Sequence, residues 1–409
     1  MYHRCVAHKK VIILDFSCSK FYTHNSSYID SYGLFVQNNN LSNDIEYWIS
    51  KAANNHVRFS GKAKIFKILR SPLYGYERRQ NYLYWFFDRV INIFFERFVC
   101  KLPKFMSSLL IIMVSNLYMK GAISRVKILN SQGHKIMLIL PAADALSIRF
   151  IQRCLEIGIE ITSVSLRILN AEKRGIFRIE NVGSFLSKLV IRFPSCTFSV
   201  GYEVDSVGKS LLNYQSLTES IYWAPLPVNK KLKPLQPNKV IRIGFIGSAR
   251  KLKGFDLIPE ILNRLDADGV PYKASVQLAN KSWYGYEETL KKLNKKHPNI
   301  NYLAAGLPLE KIIKSIRLLD LIIMPYDLQQ YYQTGSGILY QASECFVPTI
   351  SSSGVGFEWD IKSFKIGSTF NMIDEIAHLV NKENIKTWKK NLAQYNLART
   401  QANLEFLKI

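Results

Sequence analysis

Short apolar runs spaced by amphipathic stretches set the pattern of this chain. Val11, Ile12, Ile13 and Leu14 form the first run, closed by Asp15. Residues 135–141, 159–166 and 197–202 repeat it, each of a length suited to a strand buried on both faces. Residues 147–156 and the stretch ending at Leu211 carry apolar positions at helical spacing. Strands alternating with helices predict a parallel, doubly wound sheet. Residues 16–40, polar and aromatic, read as loop, and residues 56–70 as one more short element.

The pattern restarts at residue 240. Strand 240–246 leads into the turn Gly247-Ser248-Ala249 and a helix over 255–265. Strand 274–278, helix 286–296, strand 300–303 and helix 309–319 follow. The next stretch, DLIIMPYDLQQYYQTGSGILYQASECFVPTI over 320–350, opens on a buried strand at 321–324 that Pro325 stops. A polar loop over 327–334 comes next, then Gly335-Ser336-Gly337, then a helix with Ile338, Leu339, Ala342 and Cys345 on one face. Residues 384–408 are helical in composition. Residues 230–239, KKLKPLQPNK, hold two prolines and no large apolar block, and read as a linker. The fold class is therefore α/β with two Rossmann-like doubly wound domains. The first spans 1–229 with a basic, aromatic helical insertion at about 58–120. The second spans 240–378, and a C-terminal helix over 379–409 is expected to pack back on the first.

With 409 residues, 48% of them hydrophobic and 21% charged, the chain can bury two cores, and a disordered chain is excluded. Charge sharpens the picture further. Fifty-five Lys and Arg against 31 Asp and Glu give +24, which favours nucleic acid, an anionic membrane surface or a phosphate-bearing substrate. No nucleic-acid-binding motif or stacking platform accompanies the charge, so nucleic acid is set aside. Residues 58–104 hold eleven basic and three acidic residues around a run of large aromatics. They read either as a core helix or as an interfacial helix on anionic lipid. The longest apolar window, 105–119, falls short of the roughly 20 residues that span a bilayer, and no signal-peptide core is present. The expected location is the cytoplasm, peripheral on the inner face of the membrane. Six scattered cysteines without Cys or His at zinc spacing read as reduced thiols and imply no metal.

Two turns carry the candidate chemistry. In GFIGSARKLKGFDLI, residues 244–258, Gly247 ends a strand while Arg250 and Lys253 stand just before a helix. That placement suits a pyrophosphate near a helix N-terminus. Gly335-Ser336-Gly337 likewise aims free amides and a positive helix end at an anion. Either turn alone fits an ordinary strand-to-helix connection. Both follow strands of one parallel sheet, at the edge where such sheets bind ligands, and together they suit a nucleoside diphosphate.

Arg250, Lys253 and Gly254 form an R-x-x-K-G opening that resembles the donor domain of group 1, family 4-like glycosyltransferases of the GT-B fold. Asp320, Pro325, Tyr326, Asp327, Ser336, Gly337, Ala342, Pro348 and Ile350 are similar to the later donor motif of that family. The resemblance covers about 240–360. It implies two Rossmann-like domains facing a cleft, with the acceptor on the first and the donor on the second. The implied activity is hexosyl transfer from a nucleotide-diphosphate sugar to a glycan or lipid-linked acceptor in bacterial surface polysaccharide synthesis, retaining or inverting. No metal or other cofactor is implied.

By the same resemblance Arg250 and Lys253 would neutralise the diphosphate, with Gly247 and Tyr326 beside them. The backbone at Gly335, Ser336 and Gly337 would hold its phosphates. Gln341 stands where a glutamate binds the ribose hydroxyls, and Gln333 where the first glutamate of an E-x7-E pattern approaches the sugar. Both substitutions keep a hydrogen-bonding amide and lose the charge assistance. They motivate the alternative of a catalytically impaired GT-B-like binding or partner protein. The glycine-rich loop of many relatives is replaced by Phe16-Ser17-Cys18-Ser19-Lys20. Asp15, His24 and Asp144, near strand ends of the first domain, are the candidates for a catalytic base if transfer inverts.

Overall fold

The computed structural model describes residues 9–15, 24–42, 44–50, 63–69, 119–143, 145–169, 179–229, 232–236, 238–279 and 284–408. The chain divides into two compact units. One comprises Met1–Tyr202, Val207–Pro227 and Leu404–Ile409; the other comprises Glu203–Ser206 and Val228–Asn403.

The first unit is built on a seven-stranded, all-parallel sheet in the order β3-β2-β1-β4-β5-β6-β7. Its strands are β1 (Lys9–Leu14), β2 (Ile45–Ser50), β3 (Lys64–Leu69), β4 (Lys135–Leu140), β5 (Ile161–Ile168), β6 (Thr197–Tyr202) and β7 (Ile221–Trp223). Helix α1 (His24–Asn38), a helix α2 over 119–131, α3 (Ala145–Glu156), α4 (Ile179–Arg192) and α5 (Asp205–Leu212) connect them. The five residues after the first position of β1 and of β4 are all buried, as an unbroken apolar run requires in the middle of such a sheet.

One expectation is corrected here and one strand is added. Residues 24–38 form α1 and not loop. Tyr28, Ile29, Tyr32, Phe35 and Val36 recur at helical steps and are buried, the last four in one core with Val11, Ile13, Met137 and Ile139. Two of the five are tyrosines set among Asn, Ser and Gly, which masks the apolar face. The sequence pattern also passes over β2, because Glu46 interrupts it. Glu46 is fully buried, and burial alone would raise its carboxyl pKa. Hydrogen bonds from Arg125 at 2.8 Å, Trp48 Nε1 at 2.8 Å and Lys10 at 3.1 Å hold it below the usual carboxylate value. A carboxylate with three donors stays ionised in a strand that is otherwise apolar.

The second unit has six parallel strands in the order β10-β9-β8-β11-β12-β13. They are β8 (Ile241–Phe245), β9 (Tyr272–Gln277), β10 (Asn301–Leu303), β11 (Leu321–Met324), β12 (Thr349–Ser352) and β13 (Gly367–Phe370). Numbered within the unit, the order is 3-2-1-4-5-6, the Rossmann arrangement, with its switch point between β8 and β11. The helices are α6 (Ile258–Ala267), α7 (Tyr286–Lys296), α8 (Leu309–Arg317), α9 (Leu328–Tyr331), α10 (Gly337–Glu344), α11 (Glu358–Ser363), α12 (Ile376–Leu379) and α13 (Lys382–Leu407). Ile243, Phe245, Leu262, Val276, Leu321 and Ile350 share one core. The polar loop expected over 327–334 holds the single turn α9, capped by the Asp327 carboxylate accepting from Gln330 N–H at 3.1 Å. Residues 232–236 carry no regular structure.

The basic, aromatic stretch 77–102 and the apolar window 105–118 lie outside the described residues. Among the described residues no helix is long and apolar enough to cross a membrane.

Candidate functional site

The carboxyl ends of β8 and β11 bring the two turns together. After β8 the chain turns at Gly247, whose φ of +112° suits glycine, and Gln277 Oε1 at the end of β9 accepts the Gly247 N–H at 2.8 Å. Residues 251–253 form a 3-10 turn that ends at Gly254 in the left-handed region, with φ +67°. Gly254 is required twice over, because a side chain there would also run into the carbonyl oxygen of Pro325 at the end of β11. The Asp327 N–H donates to Leu252 O at 3.1 Å and ties the two loops a second time.

This packing delivers the Lys253 ammonium to Gly247. A Cβ built on Gly247 would stand 2.8 Å from Lys253 Nζ and 3.8 Å from Ile338 Cγ1, in the first turn of α10. Lys253 Nζ also lies 5.3 Å from the centre of the Tyr326 ring. Burial lowers the Lys253 pKa; Tyr331 nearby opposes that and Arg250 adds to it. Arg250 itself is exposed. The result is a pair of cations without a carboxylate among the groups acting on Lys253.

Ser336 is 4% exposed and caps α10, its hydroxyl accepting from Leu339 N–H at 3.4 Å. The amides ahead of Leu339 at this helix start have no partner within the helix and are the groups an anion would meet. Gly247, Lys253, Gln277, Pro325 and Tyr326 line a shallow hollow, with Phe245, Ile323 and Phe255 behind them. Burial raises the Tyr326 phenol pKa well above its ordinary value, so it is a neutral hydroxyl at any physiological pH. Its ring packs 4.5 Å from that of Tyr331.

Gly247, Arg250, Lys253, Tyr326 and the turn Gly335-Ser336-Gly337 thus share one edge of one sheet. Gln341 follows one helical turn later, and its Oε1 is buried without a hydrogen-bond partner among the described residues. Gln333 is half-buried ahead of the turn. Asp320, part of the matched motif, is elsewhere: at the start of β11 it is fully buried and accepts from Arg242 N at 3.0 Å, Asn238 Nδ2 at 3.0 Å and Lys389 Nζ at 3.5 Å. Its place is structural. In the first unit Asp15 is buried at the carboxyl end of β1, its N–H donating to Trp48 O at 3.1 Å. His24 opens α1, and its side chain and Asp144 lie outside the described residues.

Sequence reasoning passed over Gln277, Tyr331 and Glu203. Gln277 ends a parallel strand, a position that the edge rule for such sheets would have marked. Glu203 directly follows β6, and a side chain on Gly335 would run into its carboxyl carbon. Among the described residues no group of three His, Cys, Asp or Glu is placed to hold a metal ion.

No protein-family model and no curated protein sequence matches this chain. Solved structures do. The glycosyltransferase from Rickettsia africae superposes with a TM-score of 0.59 at 9% identity, over 98% of this chain and 96% of that one. HepE from Anabaena, in complex with UDP, gives 0.60 at 10% identity over 98% and 97%. The α,α-trehalose 6-phosphate synthase from Burkholderia multivorans gives 0.58 at 9% identity over 98% and 95%. At these identities the likeness is one of fold: two Rossmann-like α/β domains of the GT-B kind, as the motif resemblance implies.

Proposed function

We propose that this chain is a glycosyltransferase that takes its sugar from a nucleoside-diphosphate donor held on the second unit. The observation that carries the proposal is the meeting of Gly247, Lys253 and Ile338 at the β8–β11 switch point. Phosphoryl oxygens placed there would face two cations and the start of α10. The structural neighbours named above include a protein solved with UDP and with UDP-glucose, which favours a uridine nucleotide as the first to try. The acceptor is proposed to be a glycan or lipid-linked glycan of a bacterial surface polysaccharide. The basic stretch 58–104 would rest on the inner membrane leaflet.

Gln333 and Gln341 favour a second reading, a GT-B-like protein that binds nucleotide sugar without turnover. A panel of UDP-, GDP- and ADP-sugars separates the two. Release of free nucleoside diphosphate from any of them, lost in Lys253→Ala, supports the enzyme. Binding without release from every donor and acceptor tried sinks it and leaves the binding protein.

A further inference from the structure

The Gly247 turn is held from two sides. On one side Lys253 Nζ stands 2.8 Å from where a Cβ at position 247 would be. On the other, the Gly247 N–H donates to Gln277 Oε1 at 2.8 Å. Gln277 is the last residue of β9, which pairs in parallel with β8, and it is 5% exposed. A side chain of the neighbouring strand thus fixes the turn that follows β8.

That bond also settles which way the Gln277 amide faces. A backbone N–H can only donate, so the amide turns its oxygen to Gly247 and its nitrogen away. Nε2 has no hydrogen-bond partner among the described residues, and it keeps contact with solvent where Gln277 borders the hollow beside Gly247, Ser248 and Lys253. A pair of N–H donors held in place next to an ammonium suits an anionic oxygen. The residue type matters as much as the place. A carboxylate at 277 would accept from Gly247 equally well, yet it would offer no donor and would set a negative charge near Lys253.

We infer that Gln277 is a positioning residue for the Gly247 turn and that its Nε2 donates to a phosphoryl oxygen of the bound nucleotide. The second role rests on the nucleoside-diphosphate donor proposed above; the first does not. Two variants divide them. Gln277→Glu keeps the acceptor for Gly247 and loses the donors, while Gln277→Met, of similar length, loses both.

Residue-resolved amide hydrogen exchange on the full chain without nucleotide reads the turn. The Gly247 N–H is expected to exchange about fivefold faster in Gln277→Met and at close to the wild-type rate in Gln277→Glu. Calorimetry with UDP and GDP reads the second role. Affinity for the nucleotide that wild type binds is expected to fall about tenfold or more in Gln277→Glu although its turn is intact, a loss that support of the turn alone would not produce. Equal Gly247 exchange in all three proteins, or a change in Gln277→Glu as large as in Gln277→Met, overturns the positioning role. Wild-type affinity in Gln277→Glu overturns the phosphate contact. If wild type binds neither UDP nor GDP while the exchange pattern holds, the donor assignment and the phosphate contact both fail, and the support of Gly247 by Gln277 stands.

Discussion

The Lys253 ammonium fills the space that a side chain at position 247 would need, since a Cβ on Gly247 would stand 2.8 Å from Lys253 Nζ. The glycine and the cation are thus a matched pair. Gly247→Ala is expected to displace the ammonium and weaken nucleoside-diphosphate binding about tenfold, or about 1.4 kcal/mol. The φ of +112° adds a stability cost of about 1–3 kcal/mol. Calorimetry and thermal denaturation on the same variant read the two effects separately.

Gly254→Ala should be more damaging. Its Cβ would be driven into the Pro325 carbonyl, which parts the loop after β8 from the loop after β11. Loss of nucleotide binding with a lowered Tm is expected. A variant that keeps wild-type affinity would show that contact between these loops does not build the site.

Gln341 has a buried Oε1 without a hydrogen-bond partner among the described residues, one helical turn after Ser336. If ribose hydroxyls bind there, Gln341→Glu restores a charge-assisted acceptor and should tighten UDP about fivefold, roughly 1 kcal/mol. Deoxy-UDP analogues lacking those hydroxyls should show no such gain. Equal tightening of both would place the ribose elsewhere.

Asp320 tests the difference between a motif match and a site. Asp320→Ala leaves Lys389 and Arg242 without their shared carboxylate and should cost about 3–5 kcal/mol of stability. Nucleotide affinity of the fraction that stays folded should be unchanged, which calorimetry below the Tm reads.

Asp360 gives a pH dependence with a definite sign. Its folded-state pKa, about 8, lies above the ordinary 3.8, so the unfolded chain releases this proton first as pH rises. This group's part of the stability is therefore undiminished below about pH 4, falls between about pH 4 and 8, and levels off above. Asp360→Asn, which does not titrate, should gain on wild type across that window by an amount on the order of a few kcal/mol. Denaturant midpoints at pH 5 and pH 8 measure it; equal midpoint differences at both pH values would contradict the assignment.

Much of this was legible in the chain itself. Uninterrupted runs such as 11–14, 136–140 and 321–324 announce central parallel strands because both of their faces are buried. The glycines at 247 and 254 with the cation at 253 mark a turn whose geometry only glycine permits. What stayed hidden has a common cause. β2 is disguised by Glu46, whose partners Lys10 and Arg125 are 36 and 79 residues away. Asp360 is likewise ordinary in sequence and acquires meaning only when α11 and α13 are folded. Apolar pattern is local and can be read, whereas pairing of buried charge is made by the tertiary fold.

The central claim is that Arg250, Lys253 and the start of α10 together form a site for a nucleoside diphosphate. Isothermal calorimetry of UDP and GDP with wild type and with Arg250→Ala/Lys253→Ala tests it most directly. Each lost charge-assisted contact is worth about 1.5–3 kcal/mol, so the double variant should lose at least a hundredfold in affinity for the nucleotide that wild type binds. Equal affinity in the two proteins would remove both cations from the site and contradict the account.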